Sequence, residues 1–294
     1  MKKLAAIVLT CLIVLAALPA LAEAAMSVRS INHRGYGTIA PENTLPAYEL
    51  SKQMGFDCVE TDVCFTKDGV AVLLHDGTIN RTARNADGSE LSEEDIEISD
   101  ITYEEALAYD FGIWMGEEDK GTPLPTFEAF LDLCAALELH PYIELKDGTD
   151  YTREQIDSLV EMVREKHMPK GVTWISFNNE FLGWVRDEDP TARLGFLQFL
   201  WFEPGDFDLA IEHAEALRTD TNDVFLDAGL EMFAYSDDDA VSLDVLVGKC
   251  RDAGLPLEVW LVNDKETMQD LDPYITGVTS DSLVFSQVTR SDNI

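Results

Sequence analysis

The sequence predicts an α/β fold, a closed barrel of eight parallel strand–helix units, on three observations. Short apolar runs rich in β-forming residues alternate with amphipathic stretches along most of the 294-residue chain, the pattern of parallel strands joined by crossover helices. The length suits the roughly 250 residues of a (β/α)8 barrel. No GxGxxG follows the first strand, which counts against the alternative architecture, an open doubly wound sheet.

Taken in order, apolar β-rich runs place strands at Val28–Asn32, Cys58–Val63, Val70–His75, Pro141–Lys146, Val172–Phe177, Arg193–Phe199, Ala216–Thr221, Leu257–Val262 and Gly277–Ser280. Amphipathic stretches place helices at Leu45–Met54, Thr126–Leu139, Arg153–His167, Asn179–Asp187, Asp206–Glu215, Asp238–Ala253 and Lys265–Leu271. The strands number one more than a closed barrel needs, so one is expected to be an extension or a hairpin partner. From Gly77 to Leu124 the rhythm breaks into an acidic, turn-rich segment too long for a normal βα connection. It is read as a small subdomain inserted after the third strand, at about 77–124, with a short helix near Thr102–Tyr109. No linker separates a second domain, so residues 23–294 are read as one.

Residues 1–22 are an address. Lys2 and Lys3 precede an apolar run, Pro19 breaks it, and Ala20-Leu21-Ala22 fits a cleavage site: the layout of a secretory signal peptide. The run approaches spanning length, so an uncleaved anchor is the alternative. Thr10 before Cys11 counts against a lipoprotein. Export to the periplasm, cell envelope or medium is the expectation, with no stable membrane insertion after cleavage.

With 46% hydrophobic and 26% charged residues, the chain is no disordered polymer. It carries 56 acidic and 21 basic residues, a net charge of −35; losing Lys2 and Lys3 makes the mature charge still more negative. Such a field disfavours nucleic acid and anionic membranes as partners. A small phosphate ester is compatible, provided local cations or a metal ion meet it. Beyond residue 22 the cysteines are Cys58, Cys64, Cys134 and Cys250. Their spacing is not that of a zinc site, and free buried thiols are expected, although export permits a disulfide. The sequence leaves the oligomeric state open.

Titratable residues recur at strand ends. His33 and Arg34 end the first strand, and His75 and Asp76 the third; Glu60 and Asp62 lie two apart in VETDV, and Glu144 and Lys146 two apart in YIELK. Residues two apart share a strand face, and in a parallel barrel the C-terminal strand ends line one mouth. Buried carboxylates must be paired or bind metal. Converging Glu60, Asp62 and Glu144 would repel one another unless a hard divalent cation, Ca²⁺ or Mg²⁺, joined them. His33 and His75 supply an acid and a base near neutral pH. Arg34 and Lys146 supply fixed positive charge. The set describes metal-assisted phosphoryl chemistry.

These residues sit in longer motifs: HRGYGTIAPENT at His33–Thr44, GFDCVETDVCF at Gly55–Phe65, TKDGVAVLLHD at Thr66–Asp76, NRT at Asn80–Thr82, GTPLPTFEAFL at Gly121–Leu131 and YIELK at Tyr142–Lys146. Weaker ones follow: ISF at Ile175–Phe177, VWLVN at Val259–Asn263 and VTSD at Val278–Asp281. Together they resemble the glycerophosphodiester phosphodiesterases over nearly all of the mature chain. The resemblance implies a phospholipase C-like TIM barrel with a small insertion after the HD motif. It implies Glu60, Asp62 and Glu144 as ligands of one divalent cation, and His33 and His75 as the acid–base pair. Arg34 and Lys146 would hold the phosphate, and Phe177 and Trp260 would line the alcohol side. In the last motif Ser280-Asp281 replaces the usual Thr-Asp, with no proline nearby. The implied activity is hydrolysis of glycerophosphodiesters to an alcohol and sn-glycerol 3-phosphate through a cyclic phosphate. The acidic surface favours small diesters with cationic heads, such as glycerophosphocholine. The alternatives are a phospholipase C-like enzyme for lipid or polymeric diesters, and a non-catalytic, metal-dependent phosphodiester-binding protein.

Overall fold

The structure, a computed structural model, describes residues 28–199, 204–230 and 243–288. The proposed signal segment 1–22 and the first residues of the helix expected at Asp238–Ala253 lie outside the described residues.

The strands are β1 (Arg29–Asn32), β2 (Cys58–Phe65), β3 (Ala71–Leu73), β4 (Arg84–Asn85), β5 (Tyr109–Asp110), β6 (His140–Leu145), β7 (Thr173–Ser176), β8 (Arg193–Phe199), β9 (Val224–Gly229), β10 (Leu257–Trp260) and β11 (Ile275–Ser280). All but three of these form the barrel. They run parallel in the order β1-β11-β10-β9-β8-β7-β6-β2, and β2 pairs back with β1 to close it. The surplus strand is β3, which turns back antiparallel on the end of β2.

Most helices fall within a few residues of the expected bounds: Leu45–Met54, Phe127–Leu137, Arg153–Lys166, Asn179–Glu188, Pro204–Ala216, Leu243–Ala253 and Lys265–Gln269. Side-chain caps fix several starts. Thr126 accepts from the Ala129 amide, and Thr152 forms a reciprocal capping box with Gln155.

One expected strand is corrected. Ala216–Thr221 is not a strand: Ala216 closes a helix, and Asn222 Oδ1 accepts from both the amide and the hydroxyl of Thr219, each at 2.7 Å, folding the segment into a turn. The strand lies at Val224–Gly229, pairing with β8 and β10. Its run VFLDAG contains an acid, Asp227, which hides its apolar character in the sequence.

The main core fills the space between strands and helices and includes Trp174, Phe127, Phe130 and Leu159. Inside the barrel, the end where the strands begin is plugged by polar side chains. Arg193 donates to Glu258 (2.7 Å) and Tyr142 (3.1 Å), Tyr142 donates to Glu258 (3.0 Å), and Arg29 donates to Glu258 (3.1 Å). The Arg193 guanidinium also stacks 3.9 Å from the Phe225 ring centroid. The plug leaves the opposite end free for a cavity.

The segment 77–124 has its own small core of Ile79, Ala83, Ile98, Ala106, Phe111 and Leu124 against Cys64, Val72 and Leu74. It contains the β4–β5 hairpin pairing and the short helix Tyr103–Ala106, capped by Thr102 and Glu105. The carboxylate of Asp110 ties its loop together by accepting from the amides of Gly112, Ile113 and Gly121. Cys58, Cys64, Cys134 and Cys250 are free and buried, as expected. Among the described residues no helix is long and apolar enough to cross a membrane.

Candidate active site

The strand ends opposite the plug carry the candidate residues, and local backbone geometry aims them. The His33 amide donates to Ser280 O, binding the end of β1 to β11. The chain then turns sharply, with Arg34 and Gly35 at positive φ (52° and 77°). A Cβ on Gly35 would lie 2.8 Å from that of Ala47, so glycine alone allows this turn against the first helix. The turn points the Arg34 amide at Glu60 Oε2, 2.9 Å away.

Glu60 and Asp62 project from β2, and Glu144 stands beside Asp62 in the register with β6. The three are 3%, 1% and 8% exposed, and each offers an oxygen within 4.8 Å of the others. Lys146 Nζ lies 2.8 Å from Glu144 Oε1 and 3.4 Å from Asp62 Oδ1, within ion-pairing distance of both. Arg34 Nε is 3.5 Å from Asp62 Oδ2. Asn43 donates to Asp62 Oδ2 at 2.8 Å, and its own carbonyl accepts from Tyr48 and Thr61.

Even so, among the described residues Glu60 Oε1 is buried without a hydrogen-bond partner, and Asp62 Oδ1 and Glu144 Oε1 are buried with Lys146 Nζ as their neighbouring cation. Burial, with the charges of Asp62 and Glu144, pushes the Glu60 carboxyl well above the usual range. Burial and the Asp62 charge push Glu144 up to about 7. Asp62 stays ionised: burial opposes its charge, but Lys146 and Arg34 outweigh burial and hold it below the usual range. Three crowded carboxylates, one with an orphaned oxygen, suit a hard divalent cation taking oxygen ligands alone.

Each histidine leans on an acid. His33 Nδ1 is 2.8 Å from Asp281 Oδ1, and His75 Nδ1 is 2.6 Å from Asp76 Oδ1. A carboxylate only accepts, so Nδ1 carries the proton and Nε2 of both rings is left as the basic nitrogen. Burial pulls the His75 pKa down, with Asp62 opposing it, so this ring is neutral near pH 7.

The partners are themselves held. Asn263 donates to Asp281 Oδ2 at 2.5 Å and accepts from its amide at 2.8 Å. Arg81, from the inserted segment, donates to Asp76 (2.6 Å) and twice to Glu42 (2.7 and 2.8 Å), and Arg34 donates to Glu42 at 3.0 Å. The insertion therefore braces both His75, through Asp76, and Arg34, through Glu42.

A cavity of about 250 Å³ opens here, lined by His33, Arg34, Glu60, His75, Glu144 and Lys146 on one side and by Phe177, Phe199 and Trp260 on the other. Asp62 stands behind that wall. The aromatic rings pack together: Phe177 stacks on Phe199 at 4.7 Å, and Trp260 meets both edge-on. The structure thus brings every expected site residue to one place.

A family model described as the glycerophosphoryl diester phosphodiesterase family matches residues 33–283. The chain belongs to that family. As a glycerophosphoryl diester phosphodiesterase family member it is a phosphoric diester hydrolase on the TIM-barrel fold. A glycerophosphodiester phosphodiesterase from Caldanaerobacter subterraneus subsp. tengcongensis is 29% identical over 245 residues, 83% of this chain and 89% of its own. Glycerophosphodiester phosphodiesterase 1 of Rattus norvegicus is 44% identical over 125 residues, 42% of this chain and 35% of that protein. Among solved structures, an Oleispira antarctica phosphodiesterase in complex with the product sn-glycerol-3-phosphate matches with a TM-score of 0.65 at 21% identity, covering 90% of this chain and 95% of that one. At that identity the likeness speaks for the barrel alone.

Several residues of this family member's site were not singled out from the sequence. Glu42, Asn43 and Arg81 lie inside the PENT and NRT motifs, so their position was flagged but not their role. Asp281 lies in the weak VTSD motif, and only the fold shows that it faces His33. Phe199 and Asp227 carried no signal, the latter because its strand was misplaced.

Proposed function

We propose that the protein is an exported, divalent-metal-dependent enzyme that hydrolyses glycerophosphodiesters to an alcohol and sn-glycerol 3-phosphate. The observation that carries this reading is one cavity at which three buried carboxylates crowd within 4.8 Å of one another, with two cations and two carboxylate-backed histidines beside them. Export rests on the signal-like segment 1–22.

Glu60, Asp62 and Glu144 would hold the cation, Ca²⁺ or Mg²⁺, which when bound would offset phosphate charge and lower the pKa of a nearby hydroxyl. Arg34 and Lys146 grip the phosphate oxygens and stabilise charge that builds in the transition state. One histidine takes the proton of the glycerol 2-hydroxyl at its Nε2 as that oxygen attacks phosphorus. The other, entering the step protonated at Nε2 as well as at Nδ1, gives its Nε2 proton to the departing alcohol oxygen. Water then opens the cyclic phosphate with the two histidines exchanging roles. Phe177 and Trp260 shelter the departing alcohol. The net charge of −35 over the whole chain favours diesters whose cationic heads offset the phosphate.

The test uses purified protein, stripped of metal, with glycerophosphocholine as substrate. Release of glycerol 3-phosphate is expected only after adding Ca²⁺ or Mg²⁺, and is expected to vanish in Glu60→Ala. Equal release from stripped and metal-loaded protein would refute the metal assignment. No release under any condition from folded protein would refute the substrate class.

A further inference from the structure

One carboxylate in the cavity has no part in the scheme above. Asp227 projects from β9 into the wall shared with Ile175, Leu197 and Thr279. It is 2% exposed, and among the described residues its Oδ1 is buried without a hydrogen-bond partner. A buried carboxyl left unpaired is costly, and such a group beside a cavity is explained if a ligand completes it.

Its surroundings exclude the plainer explanations. Arg193, the nearest source of positive charge, spends its donors on Glu258, Tyr142, Thr173 and Asp223. Asp227 also stands outside the acidic trio whose oxygens gather within 4.8 Å, so it is not a fourth member of that group. Nor is it a loosely placed side chain. Its backbone is paired on both sides, Leu197 and Glu258 being its register neighbours. Trp260 Nε1 donates to Asp227 O at 3.2 Å, and the same indole packs over Gly229, where a Cβ would come within 3.1 Å of the ring. Asp227 is therefore a carboxylate carried on a fixed stretch of backbone, beside Ile175, Leu197 and Thr279, in the same cavity as the phosphate cations.

We propose that Asp227 is a specificity-determining residue that hydrogen-bonds the terminal hydroxyl of the substrate's glycerol part. This rests on the phosphodiesterase reading. In a diester whose 2-hydroxyl is held at the trio for attack, the neighbouring carbon carries the remaining free hydroxyl. Among the described residues, Asp227 is the cavity's unpaired carboxyl outside the trio, and so is placed to receive it. Burial, with Glu258 nearby, pushes the Asp227 carboxyl well above its ordinary range, and a hydroxyl, which can donate and accept, is a partner for a carboxyl in this setting. A quaternary ammonium head offers such a group no hydrogen to share; that end of the substrate is left to the aromatic rings.

The experiment compares kcat/KM for sn-glycero-3-phosphocholine with that for its 1-deoxy analogue, 2-hydroxypropyl phosphocholine, which keeps the attacking hydroxyl. The full chain is used as wild type, Asp227→Asn and Asp227→Leu. Wild type is expected to prefer the glycerol ester by about 10²-fold or more, since sites built to bind a hydroxyl reject the analogue lacking it. Asp227→Leu should lose that preference by falling on the glycerol ester while keeping its rate on the analogue. Asp227→Asn, which keeps shape and hydrogen-bonding capacity, should retain part of the preference and guards against a folding defect in the leucine variant. Equal kcat/KM of wild type for the two esters would overturn the proposal and leave the phosphodiesterase reading standing. Equal losses on both esters in both variants would likewise overturn it. Failure of wild type on both esters would bring down the reading and the proposal together.

Discussion

Replacing His33 or His75 by alanine lowers kcat by about 10²–10⁴-fold in each case, the range that one positioned acid–base group supplies. The expectation rests on two matched dyads. Both rings present Nε2 to the same cavity, and both have Nδ1 held by a carboxylate, Asp281 for one and Asp76 for the other. Neither ring is part of the main core, so the melting temperature should hardly move, and a loss of turnover with an unchanged melt separates catalysis from folding. The double variant should cost little more than the worse single, because proton removal and proton delivery act in one step. Near wild-type turnover in either single variant would remove that histidine from the mechanism.

Adding a divalent cation to metal-stripped protein raises its melting temperature by roughly 5–10 °C at a hundredfold excess over Kd, the equivalent of about 2.7 kcal/mol of linked stabilisation. Folding without the ion forces Glu60, Asp62 and Glu144 together in a dry place, and the upward pressure on the Glu60 and Glu144 carboxyls expresses that strain. Glu60→Gln or Glu144→Gln relieves the repulsion. The stripped variants should therefore melt no lower than stripped wild type and gain little from the ion. Differential scanning calorimetry with and without Ca²⁺ or Mg²⁺ reads this without any assay of activity. The same gain in wild type and variants would place the ion elsewhere.

Much of this was legible because the chemistry repeats the fold's own period. Glu60 with Asp62, and Glu144 with Lys146, stand two apart inside apolar strands, and two-residue spacing puts side chains on one face whatever the tertiary detail. The barrel was legible for the same reason: strand and helix alternate, and a count of nine strands pointed to one surplus strand, though not to β3 in particular. The site's supports were not legible. Asp281 comes from the last strand and His33 from the first, and only closure of β1 on β11 makes them partners. Arg81 reaches Glu42 and Asp76 across an insertion whose path no local pattern dictates. Asp227 was lost with its strand: Ala216–Thr221 looked extended, while an acid broke the apolar run of Val224–Gly229. Functional residues of this kind contradict the pattern that would reveal the element carrying them.

The central claim is that the glycerol side of the diester keeps the phosphate after its own 2-hydroxyl attacks. Phosphorus NMR of the products from glycerophosphocholine tests this directly. The account predicts sn-glycerol 3-phosphate with free choline. Phosphocholine with free glycerol would contradict it.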